Sequence, residues 1–251
     1  MRRREAQPGL PQDGQPEFVS TRWSVVLAAG KGPSPDAREA LAILCRDYWY
    51  PLYAYVRHRV NDVHEAQDLI QEFFARMLEK QMISVADPCR GRFRTFLLTA
   101  LRNFLANEWQ KGKAEKRGGT HTLLSLDVRM GEARYIGEAI DKLTPERLYQ
   151  RCWAETLLDR VSARLRDDFT RAGKELHFEH LRTFLAGSNS SVSYAEAARR
   201  LNMSVGAAMV AVHRMRQRFR DLLYAEIGQT VADPQLIKDE IRSLFAALER
   251  P

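Results

Sequence analysis

The sequence predicts an all-α protein of two small helical domains joined by a linker, and three observations carry that expectation. Apolar residues recur at intervals of three and four along every long segment. No stretch shows the alternation of a half-buried strand. Ser34-Pro35 and Thr144-Pro145 each supply a capping hydroxyl followed by a first-turn proline, so two helices have marked beginnings.

Residues 1–18 are rich in Pro, Gly and Gln and predict a disordered tail. The first domain is expected over residues 19–117. Its first long helix starts at Ser34-Pro35 and carries Leu41, Leu44, Cys45, Tyr48, Leu52, Tyr55 and Val56 inward to about Val60, with a kink at Pro51. Asp62 opens a second helix, apolar along Ala66, Leu69, Ile70, Phe73, Phe74, Met77 and Leu78 and acidic along Glu65, Asp68 and Glu72. After the loop 82–93, Phe96, Leu97, Ala100, Leu101, Phe104 and Leu105 mark a third helix. It runs into Lys111, Lys113, Lys116 and Arg117 and is broken by Gly118 and Gly119.

Residues 118–143 are turn-rich and weakly patterned, as in a linker. The second domain, residues 144–225, begins with a helix carrying Trp153, Leu157, Leu158, Val161 and Leu165, followed by one with Phe178, Leu181, Phe184 and Leu185. A C-terminal extension, residues 226–251, has one amphipathic helix opened by Asp233-Pro234 with Ile237, Ile241, Leu244, Phe245 and Leu248 on one side.

The 251 residues, 45% hydrophobic and 28% charged, suffice for one or two cores in a soluble globular protein. A net charge of +7 and a pI near 9.5 favour a polyanionic partner. The basic start MRRRE is followed by Pro8, Gly9, Pro11, Asp13 and Gly14 rather than an apolar run, so neither a signal peptide nor a membrane span is expected, and the location is cytoplasmic. Cys45, Cys89 and Cys152 are far apart and odd in number, which argues against a zinc site or a disulfide framework; Cys45 and Cys152 fit a core. Acidic and histidine residues form no catalytic dyad, metal cluster or glycine-rich phosphate loop, so neither enzymatic activity nor a cofactor is expected.

The stretch Ser193–Leu223 carries the sharpest signal. Ser193 can cap one short helix, with Glu196 placed to return the bond as a capping box. Asn202 sits where the chain must turn, and Ser204 caps a second helix. On that helix Ala208, Val212, Met215, Phe219 and Leu222 face inward, leaving Ala207, Met209, Val210, Ala211, His213, Arg214 and Arg218 outward. This is the pattern of a helix-turn-helix whose second helix enters a major groove. Upstream, Arg90, Arg92, Arg94, Arg102, Lys111, Lys113, Lys116 and Arg117 surround Phe93, Trp109 and Asn103, a set suited to single-stranded DNA: cations for phosphates, aromatic faces for unpaired bases. Phe96 and Phe104 fall on the core stripe instead. The like charges Glu65, Asp68 and Glu72, with Gln71 beside them, repel one another on one helix face and suit a basic partner.

The order DVHEAQDLIQEFFARMLE, loop, FRTFLLTALRNFLANEWQK, linker and SYAEAARRLNMSVGAAMVAVHRMRQRFRDLL resembles the extracytoplasmic-function group of sigma-70 family RNA polymerase sigma factors, in a variant beginning TRWSVVLAA and carrying a C-terminal extension. The resemblance spans roughly residues 20–225. It implies that residues 19–117 are sigma region two and residues 144–225 are sigma region four, with the middle sigma domain replaced by the linker. It further implies that Asp68, Gln71 and Glu72 dock on core RNA polymerase. The loop Ile83–Phe93 with Arg102 and Asn103 would open the promoter near minus ten and hold a flipped base. Region four would read the element near minus thirty-five as duplex through Ser204, Ala207, Met209, Val210, His213, Arg214 and Arg218. Relatives carry polar residues where this chain has Ala207, Met209, Val210 and Ala211, so readout is expected to rest on phosphate contacts, thymine methyls and DNA shape. The tail is expected to fold back on the DNA-reading domain or to receive a regulator such as an anti-sigma factor. Residues alone also fit a free-standing helix-turn-helix regulator that binds duplex DNA without polymerase.

Overall fold

A computed structural model describes residues 23–30, 34–60, 62–79, 82–87, 91–112, 128–137, 143–186, 193–228, 230–231 and 233–249. Most of these residues are helical, with no strand among them, as the periodicity predicts. The expected N-terminal disorder and the basic residues Arg90, Lys113, Lys116 and Arg117 lie outside the described residues, as does Cys89.

Among the described residues ten α-helices follow in order: α1 (Trp23–Ala29), α2 (Pro35–Arg59), α3 (Val63–Glu79), α4 (Phe93–Gly112), α5 (Val128–Gly137), α6 (Pro145–Arg171), α7 (Glu175–Leu181), α8 (Tyr194–Arg200), α9 (Val205–Gly228) and α10 (Ile237–Leu248). The caps act as their residue types dictate. The Ser34 hydroxyl accepts from the Ala37 amide at 3.1 Å and the Thr144 hydroxyl from the Arg147 amide at 3.3 Å, each satisfying an N–H that the first helical turn leaves open. Asp62 serves α3 in the same way, accepting from the Glu65 amide at 2.8 Å.

Helix α2 is the centre of the molecule. It continues through Pro51, and every residue from Tyr50 to Val56 is buried. Burial on all sides holds a helix together where proline removes one backbone bond. Its neighbours are α1, α3 and α6. Helix α1, which the sequence pattern did not announce, contributes Val25, Val26 and Ala29 to the core. The apolar faces expected for α3 and α4 are buried at Ala66, Ile70, Phe73, Phe74, Met77, Leu97, Leu101, Phe104 and Leu105. Cys45 and Cys152 are buried, as the sequence suggests, and burial pushes the Cys45 thiol up to about 12.

The stretch between the two predicted units contains helix α5, seated on α2. Gly131 lies so close to Trp49 that a Cβ there would stand 2.5 Å from its ring. Beside it, the Glu132 carboxylate accepts from the Tyr53 hydroxyl at 2.5 Å and pairs with Arg57 at 3.2 Å. Burial and this carboxylate both raise the Tyr53 pKa.

The two units share one core. Helix α6 packs along α2 on one flank and against α9 and α10 on another, and the buried cluster runs from Leu44 and Tyr48 through Trp153, Leu157 and Val161 to Val212 and Ile227 without a break. Charges are buried in the same seam. Asp47 of α2 pairs with Arg160 of α6, and Glu226 of α9 pairs with Arg164 at 3.3 Å and faces Arg160 at 3.8 Å. The tail opens as expected, Asp233 accepting from the Gln235 amide at 2.8 Å, and a 3-10 turn (Pro234–Leu236) leads into α10. On α10, Leu244 is buried and Ile237, Ile241 and Leu248 are half-buried, whereas Phe245 is exposed.

Candidate nucleic-acid interface

The turn between α8 and α9 is built from three residues. The Ser193 hydroxyl accepts from the Glu196 amide at 3.1 Å to start α8. Asn202 adopts φ 50°, while its N–H donates to the Arg199 carbonyl at 3.2 Å and that of Met203 to the Ala198 carbonyl at 3.0 Å. This pair of bonds around one left-handed residue is a Schellman stop, and asparagine tolerates the conformation. The Ser204 hydroxyl then accepts from the Ala207 amide at 3.2 Å to start α9. One expected detail differs. The Glu196 carboxylate pairs with Arg199 and, at 2.9 Å, with Arg200, instead of returning to the Ser193 amide. Two guanidiniums within reach on the same helix outcompete one backbone N–H for a carboxylate.

Ala208, Val212, Met215 and Leu222 of α9 are buried, and Phe219 is half-buried. Ser204, Ala207, Met209, Val210, His213, Arg214 and Arg218 are exposed, so the face expected to meet DNA is open. Its leading turns are apolar, with Val205, Met209 and Val210 each about half exposed, and its basic residues follow. Arg218 is held at 2.6 Å by Asp168 of α6. Arg216 donates to the Phe184 carbonyl at 2.7 Å, and Phe184 stacks on Tyr194 with centroids 4.7 Å apart, which ties α9 and the start of α8 to the preceding turn.

The second candidate surface lies where α3, the 3-10 turn Met82–Val85 and α4 meet. A cavity of about 400 Å³ opens there, lined by Phe73, Arg76, Met82, Phe96, Asn103 and Asn107. Arg102, Asn103 and Trp109 are exposed on α4, and the Arg59 guanidinium lies 5.5 Å from the Trp109 ring. Lys111 belongs to the last turn of α4. Phe93 is placed differently from the reading that exposes it to a base: it is buried, edge-on to Tyr48 at 5.5 Å and stacked on Phe96 at 5.9 Å.

On the acidic face, Asp68 is exposed and Gln71 and Glu72 are half-buried. Glu72 has a partner within the fold: Arg76 bridges it at 2.5 Å to Glu108 of α4 at 2.7 Å. Sequence reasoning missed this bridge because Glu108 is distant along the chain. It also missed the placement of Arg92 and Arg94, both of which meet Glu240 of α10. The charge of Arg94 offers no clue that its side chain is buried against Trp153.

Among the described residues, then, a capped turn leads to the exposed and partly basic face of α9, and the acidic helix α3 lies beside α4 with its exposed Arg102. Residues 44–115 match the Sigma-70 region 2 family, which supports a sigma-70 family sigma factor and with it a role in RNA polymerase binding, promoter recognition and transcription initiation. No curated protein and no solved structure matches the chain. No described helix is long and apolar enough to cross a membrane.

Proposed function

We propose that the chain is a sigma factor of the extracytoplasmic-function type, with residues 19–117 acting as region two, residues 144–225 as region four, and both contacting promoter DNA. The observation that carries this reading is the pairing, in one chain, of the region 2 match over residues 44–115 with the capped helix-turn-helix of α8 and α9. On this reading, Asp68, Gln71 and Glu72 present α3 to core polymerase, and the exposure of Asp68 supports that role. The cavity beside Asn103 is large enough for an unstacked base, and the cations around it neutralise phosphates. Region four reads duplex through α9. Its apolar leading turn has little to offer base-edge hydrogen bonding, so thymine methyl contacts from Met209 and Val210, with phosphate contacts from His213 and Arg214, supply the recognition. Opening is driven by capture of unpaired bases and by polymerase binding energy, with no catalysis by the protein itself.

The test is transcription in vitro from fragmented genomic DNA of the source organism, using core polymerase with and without the protein. Discrete protein-dependent start sites are expected, and their absence rejects the reading. Replacing Asp68 and Glu72 together with alanine is expected to weaken binding to core polymerase at least tenfold, the loss of about 1.4 kcal/mol. Unchanged affinity removes α3 from the docking surface.

A further inference from the structure

Four charged residues are buried among the described ones, and Glu240 of α10, at 1% exposure, is the least accessible of them. Its carboxylate lies between two arginines at the entry to α4: Arg94 pairs with Oε1, and the Arg92 Nε stands 2.7 Å from Oε2, a charge contact in which Oε2 accepts no hydrogen bond. The pocket around them is built by α6. The Arg94 Nε donates to Gln150 Oε1 at 2.9 Å, the guanidinium lies 3.9 Å from the Trp153 ring centroid, and the Tyr149 hydroxyl donates to the Arg94 carbonyl at 2.9 Å. Neighbouring side chains therefore fix the guanidinium of Arg94 in place whatever anion it meets.

Stability alone does not account for a carboxylate at this position. Ile237, Ile241 and Leu244 already pack α10 against the rest of the core, and a buried ion pair contributes little more than an apolar pair of the same volume. Two converging guanidiniums do have a chemical preference, namely an oxyanion with several acceptor oxygens, and a phosphodiester satisfies it as well as a carboxylate does. Arg92 keeps 39% of its side chain exposed, so the pair opens toward solvent on that side.

We propose that Arg92 and Arg94 form a phosphate site for nucleic acid and that Glu240 occupies it in cis, so that α10 is a plug which the nucleic acid must displace. The proposal rests on the reading above only in that the α4 surface faces nucleic acid, and it does not depend on polymerase. It gives the C-terminal extension a role in the unbound protein: with the plug seated, Arg92 is withheld from DNA and α6 is pinned to the start of α4.

The experiment measures anisotropy of a labelled mixed-sequence single-stranded oligonucleotide titrated with the full chain, without polymerase, at low salt. Glu240→Gln keeps the shape of the side chain and removes its charge. It is expected to bind about tenfold more tightly than the parent, the scale of one charge-assisted contact regained. Arg92→Gln is expected to cost more affinity in the Glu240→Gln background than in the parent, because only there is Arg92 free to contribute. Equal affinity of Glu240→Gln and the parent, with helical content intact by circular dichroism, overturns the proposal, as does a gain that survives Arg92→Gln. If Glu240→Gln loses its helical content, Glu240→Asp replaces it; that variant keeps the charge but draws it back by one methylene. A gain of about threefold is then expected, and no gain overturns the proposal. A gain by these variants in a protein that never binds core polymerase supports the plug and rejects only the sigma-factor reading.

Discussion

Asp47 and Arg160 meet where α2 and α6 pack, and their pairing sets what a single substitution in that seam costs. Asp47→Ala leaves Arg160 with the more distant Glu226, 3.8 Å away, as its ion-pair partner. The expected loss is about 2 kcal/mol, less than for a fully enclosed pair because Arg160 retains about a quarter of its side chain in solvent. Replacing both partners, Asp47→Leu with Arg160→Met, is expected to recover most of that loss; urea unfolding of the three variants checks it. Glu226 adds a dependence on pH. Burial raises its pKa above the usual 4.5, and the opposing pull of Arg160 and Arg164 does not cancel the shift. The folded protein therefore binds this proton more tightly than the unfolded chain does. The group's contribution is fully present below pH 4.5 and is lost as pH rises through the raised value. Glu226→Gln is expected to flatten the fall in urea midpoint over the range just above pH 4.5.

At the scale of elements, the turn between α8 and α9 was legible in the sequence because everything that defines it is local. Ser193, Asn202 and Ser204 act within four residues of themselves, and the inward series from Ala208 to Leu222 follows from helical spacing. Asn202→Ala is expected to cost about 1 kcal/mol in thermal or urea unfolding and Asn202→Gly almost nothing, since φ 50° penalises an alanine and not a glycine. Helix α9 carries a functional expectation too. Arg214→Gln should lower the salt slope of duplex binding by about one, and replacing thymine by uracil in the selected site should weaken the parent while leaving a Met209→Ala, Val210→Ala variant less affected. What the sequence did not reveal is tertiary. Helix α5 forms on contacts to Trp49, Tyr53 and Arg57, which lie far upstream, and a weak local pattern carries no trace of them. The basic cluster at the start of α4 is likewise split by packing rather than by residue type: Arg102 is exposed, whereas Arg94 and Phe93 are buried.

Across the whole molecule, a compact chain of this length has a radius of gyration of about 18 Å. Promoter elements near minus ten and minus thirty-five lie about 25 base pairs apart, roughly 85 Å along the duplex. Under the proposed function the two lobes must therefore part along the seam between α2 and α6 when polymerase and promoter are bound. A donor on exposed Arg46 of α2 and an acceptor on exposed Gln217 of α9, each replaced by cysteine in a chain otherwise lacking it, are expected to lose energy transfer on forming the complex. Retention of transfer counts against simultaneous contact with both elements. The continuous cluster from Leu44 to Ile227 also bears on how the chain tolerates being cut. A nick between residues 118 and 127 divides the sequence within its predicted linker, yet each half would carry off only one wall of a common interior. Neither fragment is expected to stay monomeric alone, whereas the two mixed together should reassemble into a soluble whole.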